Sequence, residues 1–331
     1  MGAEMRGRLR LEWLRSELGD GAQERPLAGD ASFRRYYRVS HADRDYVLMD
    51  APPPHENVRL FMQVRDWFDK AGLRVSKLHA ADAELGFLLL EDFGDLTWAA
   101  HLVAGGKTDA LFADALDQLR RLQDSQPDLE LPVFDLPRMQ RECDLYLDWY
   151  LPQVAGIAVD EQQRSDFHTA LRGILKQIET LPRVPVHLDY HSRNLMLPAG
   201  ALPLGQIDYQ DAVMGPVTYD LASLLYDCYQ DYPEAVRRCW SRYFYQALPA
   251  AVGDAFEDFE DWHHKVRLTA LQRHIKAIGI FARLAYRDGK RQFLDEIPLT
   301  RKHLLEELLF LAWGEHDCPL LFSGPAAAGK A

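Results

Sequence analysis

Residues 184–212, VPVHLDYHSRNLMLPAGALPLGQIDYQDA, interrupt a largely helical stretch and constrain the chain more than any other segment. Their apolar runs and turn residues read as strand, loop, short strand, turn and short strand. Two arrangements fit the loop. Extended with a period of two, it places His187, Asp189 and His191 on one face, a plausible donor set for zinc or iron. Coiled as a loop, it sets a carboxylate, Asp189, five residues before an amide, Asn194.

The metal arrangement needs at least three well-placed ligands. The following segment offers Asp208 and Asp211 but no further histidine, and Arg193 would repel a cation. The loop arrangement has the H-x-D-x-x-x-x-N spacing of a kinase catalytic loop and makes further demands. Phosphoryl transfer needs a carboxylate for the attacking hydroxyl and oxygen ligands for magnesium. Asp189 serves as the base, Asn194 as the first magnesium ligand, and Asp208, after the apolar Ile207, as the second. His187 is expected to support the loop from below and His191 to meet the transferring phosphate. Asp220, opening a helix after Gly215-Pro216, is either a favourable N-terminal helix charge or a brace for the loop.

Around this segment the pattern divides in two. An opening helix runs to Gly19, SFRRYYRVS and RDYVLMDAP read as a hairpin, ENVRLFMQVRDWFDKAG as an amphipathic helix, and ELGFLLLEDFGD as a strand entering an acidic turn. Helical periodicity then predicts helices near 108–125, 137–151, 160–181, 216–230, 233–248, 255–287 and 298–313. The expected class is α+β: a small β-rich N-terminal lobe with its hinge over residues 1–93, a larger mainly helical lobe over 94–318, and a flexible tail over 319–331. Two motifs are coincidental. The Asp-Phe-Gly of EDFGD lies far upstream of the catalytic loop, where Leu90, Glu91, Asp92 and Phe93 would instead present main-chain groups to adenine. GPAAAGKA lacks the strand and helix that a phosphate-binding loop requires.

The net charge of −12 argues against a nucleic-acid partner but not against a nucleotide, whose phosphates magnesium can neutralise. Cys143, Cys228, Cys239 and Cys318 form no C-x-x-C pair and are expected to be buried free thiols in a reducing cytoplasm. Neither a signal peptide nor a bilayer-spanning run is visible, so a cytoplasmic protein without a membrane partner is expected. No partner protein is implied.

VHLDYHSRNLML, GQIDYQDAVMGPVTYDLASLLYD and the order of these motifs resemble the aminoglycoside phosphotransferase and choline kinase superfamily. GDASFRRYYRV, VLMDAPP, LLLEDFGD and LQRHIKAIGIFARL are similar to bacterial anomeric kinases of cell-wall amino sugars. That resemblance implies a bilobal protein-kinase-like fold, with ATP and Mg2+ as cofactors. It also implies phosphorylation of N-acetylmuramate or N-acetylglucosamine at C1 in peptidoglycan recycling. It places Gly29, Ala31, Ser32 and Phe33 in the loop covering the phosphates, and carries the base to Asp189 and the metal ligands to Asn194 and Asp208. The chain departs from the wider kinase pattern on its third strand, where Met49 and Asp50 stand in place of a phosphate-pairing lysine. Arg34, Arg35 or Arg38 is left to supply that charge, and alternation puts Arg34 and Arg38 on one face with Tyr36. Tyr190, Arg193, Gln210, Asp211 and Arg273 are the candidates for reading the sugar. Two other functions fit the same motifs: a kinase of an aminoglycoside or another alcohol, and an inactive kinase-shaped binding module.

Overall fold

The computed structural model describes residues 3–27, 33–53 and 55–325. Helix α1 (Ala3–Leu18) precedes an antiparallel five-stranded sheet in the order β1-β2-β3-β5-β4. Its strands are β1 (Gln23–Pro26), β2 (Arg35–His41), β3 (Arg44–Asp50), β4 (Leu78–Asp82) and β5 (Phe87–Glu91), with helix α2 (Val58–Lys70) between β3 and β4. The unbroken apolar run of β5 reflects cover on both faces. Phe87 and Leu89 pack with Trp13 and Leu14 of α1, whereas Leu88 and Leu90 join Met49, Phe61 and Phe68 in the main core. The short strands β1 and β4 escape the sequence pattern because QERP is polar and LHAAD carries small residues. Their pairing rests on the backbone.

Asp50, at the end of β3, is buried and anchors α1. It accepts from Arg6 at 2.7 and 2.8 Å and from Arg10 at 3.2 Å. The strand position without a lysine therefore has a structural task.

The remainder is mainly helical: α3 (Trp98–Val103), α4 (Asp109–Asp124), α5 (Leu136–Leu145), α6 (Glu161–Glu179), α7 (Tyr219–Leu225), α8 (Glu234–Gln246), α9 (Ala250–Gly253), α10 (Phe259–Tyr286), α11 (Ile297–Phe310) and α12 (Pro319–Phe322). Two small sheets, β6 (Arg183–Val186) with β9 (Val213–Pro216) and β7 (Leu195–Met196) with β8 (Gly205–Gln206), carry the segment bearing Asp189, Asn194 and Asp208. This α+β division, a small sheet lobe followed by a helical lobe, matches the expected class.

Several details differ from the sequence reading. The helix expected over 216–230 is only α7, because Pro216 closes the β9 pairing opposite Arg183. The helix expected to end near 151 continues beyond α5 as a π-helix, Tyr146–Ala155. Pro152 lies inside it, and its missing N–H and bulky ring disfavour the ordinary i−4 bond. The expected flexible tail is in part packed: Leu321 is buried in α12, and Tyr146 donates to the Leu320 carbonyl at 3.0 Å. Residues 326–331 lie outside the described residues. Cys239 is exposed, while the other three thiols are buried.

The long helix α10 crosses the α5–π-helix junction at Gly279. A Cβ there would lie 2.4 Å from the Leu145 carbonyl carbon and 2.5 Å from the Tyr146 nitrogen. Both are backbone atoms that cannot swing away, so Gly279→Ala is expected to destabilise the protein by about 3 kcal/mol. Urea unfolding of the two proteins measures it, and an unchanged midpoint would show that the junction can open.

Candidate active site

The segment bearing Asp189 and Asn194 is held by two buried aspartates. Asp220, in the first turn of α7, accepts the N–H groups of His187 at 2.7 Å and Leu188 at 3.1 Å. Asp227 accepts the N–H of Ser192 at 2.9 Å and that of Tyr229 at 2.8 Å. Between them the loop contains a strained residue, Leu188 at φ +81°, and the strand end beyond carries Asp208 at φ +64°. Side-chain-bearing residues persist there only when their surroundings over-determine them, and the grip of Asp220 on Leu188 is one such constraint. Burial pushes the Asp220 carboxyl up to about 7 against the pull of those two N–H groups.

His187 is fully buried beneath the loop, packed against Phe68 and Tyr190 with ring centroids 5.9 and 5.6 Å away. Burial lowers its pKa to about 4, so it is neutral at physiological pH, and its Nδ1 accepts the Asp189 N–H at 3.3 Å. Turned into the core, it is not one of three ligands on a common face. Among the described residues no group of three or more His, Cys, Asp or Glu side chains is placed to hold a metal ion, so the zinc or iron arrangement is not met.

Asp189 is partly exposed. Burial opposes its charge, but Lys276, His191, His187 and Arg273 together outweigh burial and hold the carboxyl below its ordinary range. It is ionised at neutral pH. Asn194 donates Nδ2 to the Asp189 carbonyl at 3.0 Å, leaving Oδ1 as an available ligand, and the Asn194 carbonyl accepts the Ile207 N–H at 3.1 Å. That second bond ties the loop to the segment bearing Asp208. Two hard oxygens from Asn194 and Asp208 suit Mg2+, which takes one or two protein ligands and fills its octahedron with phosphate and water.

A cleft of about 550 Å³ lies between the lobes. Leu27, Val47, Leu90, Met196 and Ile207 give it apolar walls, and Asn194 and Asp208 stand within it. In the register of β2 with β3, Tyr36 lies opposite Met49 and Arg38 opposite Val47. The two candidate cations on this face have different tasks. Arg38 is held by Asp92 and, at 2.8 and 2.9 Å, by Asp95, so it latches the sheet to the hinge. Arg34 reaches across the lobes to within 3.7 Å of Asp208 and also 3.7 Å from Glu56. Arg35 is exposed on the opposite face.

The remaining candidates separate clearly. His191 packs edge-on to Tyr229 and lies 3.5 Å from the Asn194 amide nitrogen, with burial lowering its pKa. Gln210 donates to Asp208 at 2.8 Å and to Asp211 at 3.2 Å. Arg193 lines the cleft, pairs with Glu296 and stacks over the Tyr229 ring. Phe33 is exposed and stacks on His55, and Gly29, Ala31 and Ser32 lie outside the described residues. Phe93 lines the cleft under Arg74. Glu91 lines it too; its N–H is donated to the Lys77 carbonyl, and its carboxylate accepts from Arg74 at 2.6 and 2.8 Å.

Tyr190 departs from the sequence reading. It is fully buried and donates to the Ala115 carbonyl at 2.7 Å, so it anchors the loop to α4 and does not face a substrate. Neighbours of a catalytic aspartate in a loop alternate unevenly between core and cleft, and sequence spacing does not order them. Asp227 and Lys276 were not anticipated. Asp227 carries no spacing signal, and Lys276 reaches the site only because α10 packs against α7, where its Nζ donates to the Tyr219 hydroxyl at 3.2 Å.

Comparison with known proteins follows the same outline. A model of the phosphotransferase enzyme family matches residues 23–259. An N-acetylmuramate/N-acetylglucosamine kinase of Pseudomonas putida is 38% identical over 82% of this chain and 79% of its own. One of Caulobacter vibrioides is 31% identical over 85% and 86%. Among solved structures, the choline kinase LicA from Streptococcus pneumoniae superposes with a TM-score of 0.62 at 14% identity, covering 92% of this chain and 100% of its own. The aminoglycoside phosphotransferase APH(4)-Ia gives 0.58 at 14%, covering 92% and 98%. These structures share the bilobal fold.

Proposed function

The chain belongs to the phosphotransferase enzyme family, and from that membership we propose that it transfers the γ-phosphoryl group of ATP to the anomeric hydroxyl of N-acetylmuramate and N-acetylglucosamine. The observation carrying the chemistry is the junction of Asp189, Asn194 and Asp208 through the Asn194 amide and carbonyl, at the edge of an apolar cleft. The relatives at 31–38% identity, all named for these two sugars, carry the choice of acceptor. A related fold is known in complex with AMP, which supports a nucleotide in the cleft.

Adenine lies between the apolar walls and reaches the hinge at Asp92 and Phe93. Asn194 and Asp208 would hold Mg2+, which would supply positive charge to neutralise the phosphates. Arg34 adds charge from the N-terminal lobe in place of the absent strand lysine. Asp189 orients the anomeric hydroxyl and accepts its proton. A hemiacetal hydroxyl is more acidic than an ordinary alcohol, so a base of low pKa suffices when proton transfer is late. Most of the acceleration comes from positioning and charge. The product suits the recycling of cell-wall sugars in the cytoplasm.

The test is turnover of ATP and magnesium with N-acetylmuramate, N-acetylglucosamine, methyl N-acetylglucosaminide and an aminoglycoside, with phosphorus NMR of the products. A 1-phosphate from both free sugars and none from the blocked glycoside is expected. Turnover of the aminoglycoside alone would overturn the acceptor and keep the chemistry.

A further inference from the structure

Arg273, on α10, is a buried cation that forms no ion pair among the described residues. Its residue is 8% exposed, and its Nε and Nη1 are buried without a hydrogen bond. No ion pair engages its guanidinium among the described residues; its nearest aromatic neighbour is Tyr219, with the guanidinium carbon 5.4 Å from the ring centroid. Lys276, one turn along, is different: Glu142 lies 3.3 Å from its Nζ and the Tyr219 hydroxyl 3.2 Å. A buried charge left unpaired costs several kcal/mol, so such a group is retained where something else supplies the counter-charge.

The surroundings of Arg273 indicate what that is. Asp189 and Asp227 lie near enough to favour its charge, yet neither hydrogen-bonds to it, because Asp227 is engaged by the N–H groups of Ser192 and Tyr229. The nucleotide cleft is lined by Asn194 and Asp208 but by neither Asp189 nor Arg273. On the nucleotide side Arg34 already approaches Asp208. Arg273 is thus near Asp189 but outside the lining of the nucleotide cleft, and its unpartnered donors suit a planar anion. The two sugars differ by one such group: N-acetylmuramate carries a lactyl ether ending in a carboxylate, and N-acetylglucosamine has a hydroxyl there.

We propose that Arg273 is the residue that reads the lactyl carboxylate of N-acetylmuramate, and that it sets the preference between the two sugars. This rests on the amino-sugar reading above. N-acetylglucosamine leaves the guanidinium unpaired and is accepted through the contacts common to both substrates. Arg273 makes no contact with the reacting atoms in this assignment; it is a specificity residue.

The experiment measures kcat/KM of the wild-type protein, Arg273→Gln and Arg273→Lys for both sugars, and of the wild type for the methyl ester of N-acetylmuramate. Arg273→Gln is expected to lose on the order of 10²-fold more for N-acetylmuramate than for N-acetylglucosamine, the difference falling mainly in KM, while any loss common to both sugars reports the removal of its charge from beside Asp189. Arg273→Lys, which keeps a cation but not the planar fork, falls between. The ester behaves with the wild type as the acid does with Arg273→Gln. Equal losses for both sugars would overturn the proposal and make Arg273 a stabiliser of the transferring phosphoryl group or of the fold. Full activity of the wild type toward the ester would overturn it without any variant. Failure of the amino-sugar reading looks different, since the wild type would then turn over neither sugar.

Discussion

Asp189→Asn is expected to lower kcat by about 10²–10⁴-fold while leaving nucleotide affinity within a factor of two or so. The substitution keeps the shape of the side chain and removes its ability to take a proton. The loop is held by groups other than this carboxylate: Asp220 grips the His187 and Leu188 N–H groups, Asp227 grips Ser192, and Asn194 bonds to the Asp189 carbonyl, which the variant retains. Steady-state kinetics together with calorimetric titration of ADP separates the two effects. Retention of more than a tenth of the wild-type kcat would show that Asp189 is not the base. The pH profile supplies a second check. Because surrounding cations and imidazoles hold the Asp189 carboxyl below its ordinary range, it stays ionised through mild acid. The acid limb it imposes on kcat/KM should therefore lie below the ordinary aspartate range. The sign for stability follows. A depressed carboxyl favours folding above its unfolded pKa, and that contribution disappears as pH falls through the folded value.

Asp220→Ala should produce the largest loss of stability, about 2–6 kcal/mol, from two buried N–H groups left without an acceptor at about 1–3 kcal/mol each. His187 is fully buried and Leu188 is 4% exposed, so water does not readily replace the lost oxygens. The change also releases Leu188 from its left-handed conformation, and Asp189 is the next residue. Activity should consequently fall at temperatures where the variant is still folded. Asp220→Asn keeps one acceptor oxygen and should lie between the two proteins. Urea unfolding followed by tryptophan fluorescence measures the order. If Asp220→Ala matches the wild type in midpoint and slope, Asp220 acts only as a favourable charge at the start of α7, the simpler of its two readings.

The missing strand lysine has a structural explanation at each neighbouring position. Met49 is buried in the main core, Asp50 anchors α1 through Arg6 and Arg10, and Arg38 holds the hinge. Arg34 is the cation that reaches a metal-ligand candidate. The retained triad of Asp189, Asn194 and Asp208 speaks against an inactive binding module, because a protein that had abandoned phosphoryl transfer has no chemical need for all three.

What the sequence determined by itself is local and periodic. The hairpin of β2 and β3, the long helices and the strand–loop–strand–turn bearing Asp189, Asn194 and Asp208 all follow from side-chain period, turn residues and the spacing of carboxylate and amide. Alternation likewise placed Arg34, Tyr36 and Arg38 on one face, since a strand leaves only two faces to choose between. Tertiary structure decided what depends on contacts between distant segments. It turned Tyr190 into the core toward Ala115, committed the Glu91 N–H to Lys77, docked α12 on the π-helix, and brought Lys276 and Arg273 from α10 to the base. Spacing along the chain fixes the period of a helix or strand, but loop side chains and residues more than 80 positions apart are placed by packing alone.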